Sequence, residues 1–228
     1  IVANKLTTIG SSAFEGCNSL TRIILPNSIQ TIKENAFNGI SSLTLGGEFS
    51  IIPNNSFKNC LSLTRVYLEL DRLKSIGSSA FEGCVSLNDL TLPSSVETIE
   101  ENAFLGIKEI SIYCCMNNLP NNSFKNCTSL IKIVFCGNYI NSIGSSSFEG
   151  CSSLSEITLP SSIQTINENA FQGIQNLTIN SDIQYLPNCS FKNCSTIKKI
   201  ILNTKKLNTI KSEAFYGCTS LSEITFPA

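Results

Sequence analysis

The sequence contains no histidine, no tryptophan and a single methionine. Without histidine there is no Ser-His-Asp triad, no imidazole ligand for a metal and no ready general base near neutral pH. Charge is scarce as well. Charged residues make up 14% of the 228, with 16 basic and 17 acidic side chains and a net charge of -1, below the roughly 25% usual for soluble chains. A strongly basic nucleic-acid binder is excluded, because few phosphate counterions would be released. A disordered chain is excluded too, since 42% of the residues are hydrophobic and can fill a core. No apolar run approaches the ~20 residues of a membrane helix, so no membrane insertion is expected within this segment. The chain opens on Ile1 with no charged stretch followed by an apolar one. The expectation is an excerpt of a longer protein whose targeting and anchoring signals lie outside it.

What the sequence does have is repetition. A phenylalanine preceded by a small residue recurs at Phe14, Phe37, Phe57, Phe81, Phe104, Phe124, Phe148, Phe171, Phe191 and Phe215. The spacings run 23, 20, 24 and then start again, which gives ten repeats of 20–24 residues and a super-repeat of 67. Leu92-Pro93-Ser94-Ser95 returns as Leu159-Pro160-Ser161-Ser162, and Asn55-Ser56-Phe57-Lys58-Asn59-Cys60 returns as Asn122-Ser123-Phe124-Lys125-Asn126-Cys127. Five residues before each Phe sits Ile or Leu, and six after it sits Leu or Ile. Seven repeats continue into an alternating segment such as Leu20-Thr21-Arg22-Ile23-Ile24-Leu25, the period of a strand with one buried face. Such a strand buries its apolar side only when coils stack. Residues 1–228 therefore read as a single solenoid domain with one parallel ladder. Short helical or 3₁₀ turns are expected at Gly-Ser-Ser-Ala-Phe-Glu-Gly-Cys, and Pro26, Pro93, Pro160 and Pro227 end ladder pairing.

The pattern L-x-x-I-x-x-x-A-F-x-G-C-x-S-L-x-x-I-x-L-P, clearest from Leu73 to Pro93, resembles the BspA-type leucine-rich repeat. The resemblance covers the whole chain. It implies a leucine-rich repeat horseshoe, mostly β, with the ladder on the concave face and short turns and extended segments on the convex one. It also implies a surface or secreted protein of the kind found in anaerobic bacteria and mucosal protist parasites, non-enzymatic and adhering to host extracellular matrix or cells. The 20-residue repeats depart from the pattern: Ile40, Ile107 and Ile174 replace the Cys, and the Leu-Pro end is missing.

Seven of the 11 cysteines (Cys17, Cys60, Cys84, Cys127, Cys151, Cys194 and Cys218) stand three residues after Phe, where other repeats carry Ile. They read as a reduced core column. Cys189 is expected to be exposed, and a Cys115–Cys136 bridge is one alternative to free thiols there. No C-x₂-C pair suggests zinc. Asp71 and Asp182 stand alone, so neither a catalytic pair nor a cofactor or metal site is expected.

Binding is sought on the sheet. One outward column reads Arg22, Thr44, Arg65, Asp89, Ser111, Lys132, Glu156, Thr178, Lys199, Glu223. It sets Arg65, Lys132 and Lys199 against acids, either as cross-strand ion pairs that keep the sheet soluble or as a polar stripe for a charged protein. The next column reads Ile24, Gly46, Tyr67, Thr91, Tyr113, Val134, Thr158, Asn180, Ile201, Thr225. Tyr67 and Tyr113, two strands or about 10 Å apart, could form with Ile24 and Val134 a shallow patch for a protein or glycan ligand. Six N-x-S/T sequons, at Asn54, Asn121, Asn126, Asn176, Asn188 and Asn193, lean slightly toward an extracellular protein. The alternative is an intracellular interaction scaffold, for which reduced thiols are natural. Uncapped ends would favour end-to-end or edge self-association.

Overall fold

The computed structural model describes residues 5–26, 28–48, 50–114 and 116–226, and each repeat Phe sits inside a six-residue turn such as 11–16. Two residues before and two after the Phe, the backbone is left-handed. Before it φ is 57° at Ser12, 59° at Asn35 and 62° at Asn55; after it φ is 77° at Gly16, 91° at Gly39 and 60° at Asn59. Glycine adopts this region freely and Asn more readily than most residues, which explains the Gly and Asn found there. Paired left-handed residues also interrupt the run of right-handed dihedrals that a helix needs. The expected short helical or 3₁₀ turns are accordingly plain turns, and among the described residues there is no helix.

The Phe rings stack through the solenoid. From Phe14 to Phe215, consecutive ring centroids lie 4.9–5.7 Å apart, with planes within 25° of parallel. The residue before Phe must be small. It is a buried Ala at Ala36, Ala80 and Ala103, or a buried Ser at Ser56, Ser123, Ser147 and Ser190. Each of these hydroxyls donates to the carbonyl three residues back, at 2.6–2.7 Å, so none is buried unsatisfied.

Short strands lead into the turns: β1 (Thr8–Ile9), β3 (Thr31–Ile32), β5 (Ile51–Ile52), β7 (Ser75–Ile76), β9 (Thr98–Ile99), β11 (Asn118–Leu119), β13 (Ser142–Ile143), β15 (Thr165–Ile166), β17 (Tyr185–Leu186) and β19 (Thr209–Ile210). Longer strands leave them: β2 (Arg22–Leu25), β4 (Ser42–Gly47), β6 (Arg65–Glu69), β8 (Asp89–Leu92), β10 (Glu109–Cys114), β12 (Lys132–Cys136), β14 (Glu156–Leu159), β16 (Asn176–Ser181), β18 (Lys199–Asn203) and β20 (Glu223–Thr225). The second set forms one ten-stranded sheet, with the strands in chain order. All pairings are parallel. Ile, Leu and Val on its inner side join the Phe stack in one buried core.

The lesser ladder breaks between β3 and β5, β9 and β11, and β15 and β17. At Lys33, Gly77, Glu100, Asn167 and Lys211 the residue after such a strand donates its N–H to the preceding coil, as from Lys33 to Ile9 at 3.0 Å and Gly77 to Ile52 at 2.8 Å. At the three breaks that residue is Pro53, Pro120 or Pro187. Proline has no N–H to give. Beside two of them, Gly77 and Gly144 make room. A Cβ on Gly77 would lie 2.7 Å from the Ile52 carbonyl oxygen, and one on Gly144 would lie 2.6 Å from that of Leu119.

The same 20-residue repeats shift the main sheet. They lack the second small turn that other coils carry, and their strands β4, β10 and β16 are six residues long instead. Arg22 pairs with Thr44, but Thr44 pairs with Tyr67 rather than Arg65. Pairing therefore slides by two residues per super-repeat, and both expected columns need correction wherever they leave a short repeat. Gly46 faces Glu69, not Tyr67. Ser111 faces Val134, Tyr113 faces Cys136 and Thr178 faces Ile201.

In the cysteine column, Cys60, Cys84, Cys127, Cys151 and Cys194 are buried, Cys218 is partly buried and Cys17 is exposed. These thiols are free, as are Cys136 and the partly buried Cys189. Cys115 lies outside the described residues, so the Cys115–Cys136 bridge does too; Pro227 is likewise outside them.

Candidate functional site

Alternation along each strand turns every second side chain out of the main sheet. The corrected register arranges these side chains in rows. One row runs Arg22, Thr44, Tyr67, Thr91, Tyr113, Cys136. The next runs Ser42, Arg65, Asp89, Ser111, Val134, Thr158. A third begins Glu109, Lys132, Glu156. Tyr67 and Tyr113 thus share a row, separated by Thr91, with 40% and 48% of their surface exposed.

In the rows beside the tyrosines lies a shallow depression of about 320 Å³, lined by Arg65, Asn88, Asp89, Glu109, Ile110, Ser111, Lys132 and Val134. Each of its two cations is held in an ion pair. Arg65 Nε lies 3.0 Å from Asp89 Oδ2, and Lys132 Nζ lies 2.7 Å from Glu156 Oε1. The hydrogen bond that Arg65 donates to Asp89 and the electrostatic influence of Tyr67 raise the Arg65 pKa. The hydrogen bond to Glu156 raises that of Lys132, helped by Glu109. Cys136 and then Asp89 raise the Tyr113 phenol above its ordinary value. Each shift favours the form the group already has near neutral pH, charged for the two cations and neutral for the phenol. The site offers two neutral, amphipathic rings bordered by salt-bridged ions.

The structure therefore gathers Tyr67, Tyr113, Arg65, Lys132 and Val134. It leaves two candidates apart. Ile24, 68% exposed, stands on β2 with Gly46 between it and Glu69. Lys199 is engaged with Glu223 at 2.7 Å, three strands beyond Lys132. Sequence reasoning passed over Glu109 and Asn88. It also missed Arg22–Glu69, a pair at 2.7 Å that crosses the short repeat's strand. Another series was missed on the Phe turns: Lys58–Glu82, Lys125–Glu149 and Lys192–Glu213, at 3.2, 3.1 and 2.6 Å. That series was visible as Lys after one Phe and an acid in the next repeat.

Among the described residues, no three His, Cys, Asp or Glu side chains gather as a metal site needs. No helix there is long and apolar enough to cross a membrane. All six sequon asparagines are exposed, and Asn54 and Asn121 each accept a hydrogen bond from the N–H of Ser78 or Ser145.

The family model described as BspA type leucine-rich repeat region matches in six copies, over residues 1–111, 50–178 and 117–228. Among solved structures, the chain is similar to a leucine-rich repeat protein from Bacteroides ovatus, at 21% identity over 97% of this chain and 76% of that one, TM-score 0.45. It is similar also to a leucine-rich repeat protein of T. pallidum, at 23% identity over 97% and 74% of the two chains, TM-score 0.36. A third is the pneumococcal vaccine antigen PcpA, at 16% identity over 98% and 85%, TM-score 0.29. No curated protein matches the chain.

Proposed function

Because the chain belongs to the BspA-type leucine-rich repeat family, we propose that residues 1–228 act as one cell-surface or secreted repeat domain that adheres to host proteins or cells. The observation that carries this reading is the Tyr67–Tyr113 row beside the Arg65–Lys132 depression. Tyrosine gives large contact area at low entropic cost and is enriched in binding hot spots. Arg65, Asp89 and Lys132 are already neutralised by neighbours, so they supply orientation and solubility rather than a strong field. Binding is non-covalent and spreads along a rigid sheet.

Surface plasmon resonance against immobilised extracellular-matrix proteins tests this, with wild type beside Tyr67→Ser/Tyr113→Ser. Loss of about two hot-spot side chains should weaken binding on the order of a hundredfold or more. Equal binding by the double variant refutes the site. The nine free thiols among the described residues favour one further reading, an intracellular interaction scaffold; binding confined to cytosolic proteins would support it.

A further inference from the structure

The 67-residue duplication copies core and turn residues closely but does not copy the ends of the main-sheet strands. Three successive rows there carry different chemistry. They read Ile24–Gly46–Glu69, then Thr91–Tyr113–Cys136, then Thr158–Asn180–Asn203. Since the fold tolerates all three, none of these side chains is required for it.

The third row borders a groove of about 450 Å³, whose polar lining includes Asn138, Thr158, Ser161, Asn180, Asp182 and Asn203. The buried side chains of Phe135 and Leu159 supply part of its wall. A second depression of about 230 Å³ shares Ser161 and Asp182 and continues to Gln184 and Tyr185. The amides are held in place. Asn203 Nδ2 donates to Asn180 Oδ1 at 2.9 Å, and Asn180 Nδ2 donates to Glu156 Oε1 at 2.9 Å. Ser161 Oγ donates to Asn138 Oδ1 at 3.3 Å. A primary amide has two N–H donors and two acceptor lone pairs, so each of these keeps capacity for a ligand. The one carboxylate of the lining, Asp182, is matched by Lys206 at 3.2 Å.

We infer that this groove is a second binding site, for a neutral oligosaccharide. Its fixed donors and acceptors suit ligands dense in hydroxyl groups. Its lack of an unpaired cation disfavours sulfated or carboxylated ones, and its lack of an exposed apolar anchor disfavours a peptide. The inference is independent of the tyrosine site.

The probe is an array of neutral and sulfated oligosaccharides, followed by calorimetric titration of the best-retained neutral one. Asn180→Ala/Asn203→Ala should weaken that binding about tenfold or more, the effect of losing two hydrogen bonds. Tyr67→Ser/Tyr113→Ser should leave it unchanged. Asn203→Tyr, which fills the groove from an exposed position, should abolish it with an unaltered circular dichroism melt. Retention of sulfated glycans alone, of none, or wild-type binding by the amide and Asn203→Tyr variants would overturn the inference. Loss of matrix-protein binding in the tyrosine variant alone bears on the other site, so the two failures are separable.

Discussion

Phe104 lies at the middle of the ring stack, with Phe81 at 5.7 Å on one side and Phe124 at 4.9 Å on the other. Only 1% of it is exposed. Phe104→Ala removes a core ring, which costs about 3–5 kcal/mol. Two ring contacts of roughly 0.5–1.5 kcal/mol each push the figure toward the upper end. Phe215 has one stacked neighbour in the series, Phe191 at 5.4 Å, and is only partly buried. Phe215→Ala should cost about half as much, roughly 1.5–2.5 kcal/mol. Coils couple to nearest neighbours alone, so the central gap should also reduce cooperativity. Urea denaturation followed by far-UV circular dichroism should show a lower midpoint for Phe104→Ala and a broadened or split transition. Equal losses at the two positions, or a loss under about 1 kcal/mol at Phe104, would mean the rings are not the axis of stability.

Other consequences follow from the same geometry. A Cβ at Gly77 would meet backbone at 2.7 Å, whereas one at Gly10 would meet nothing within 4 Å. Gly77→Ala should therefore lower thermal stability by about 1–3 kcal/mol and Gly10→Ala should leave it nearly unchanged, as a melting series would show. Burial pushes the Cys60 thiol up to about 11, and those of Cys127 and Cys194 up to about 12. An unfolded thiol ionises near pH 9, so between pH 9 and 12 the unfolded chain releases protons that the folded one keeps, and stability falls as pH rises. Replacing all three with Val should flatten that fall in melts taken from pH 8 to 11; an unchanged slope would show that these thiols are not the cause. Iodoacetamide applied to the native protein at pH 8.5 should label the exposed Cys17 well before Cys60 or Cys127, and peptide mapping reads the order directly.

Much of the fold was legible because its periodic residues are also its buried ones. The Phe, Ile and Cys columns named the core before any coordinate did, and the pairing of Arg65 with Asp89, Lys132 with Glu156 and Lys199 with Glu223 followed from repeat spacing. The register slide was not legible. Phe spacing shows that a repeat is shorter, but not that β4 lengthens to six residues while a turn disappears. Tyr113 was consequently set beside Val134 when its partner is Cys136. The helical turns failed for a related reason. Besides Gly16, Gly83 and Gly150, the residues Ser12, Asn35 and even Glu213 are left-handed. Residues other than Gly rarely advertise that conformation. Pro53, Pro120 and Pro187 were in plain view, and their missing N–H is a local signal that the lesser ladder cannot cross there.

The proposal of a surface-exposed adhesive domain is tested most directly by protease shaving of intact cells that make the protein, with mass spectrometry of the released peptides. Peptides from these repeats should appear in the shaved fraction while an intracellular marker stays behind. Repeat peptides found only after lysis would contradict the proposal and place the binding sheet among cytosolic partners.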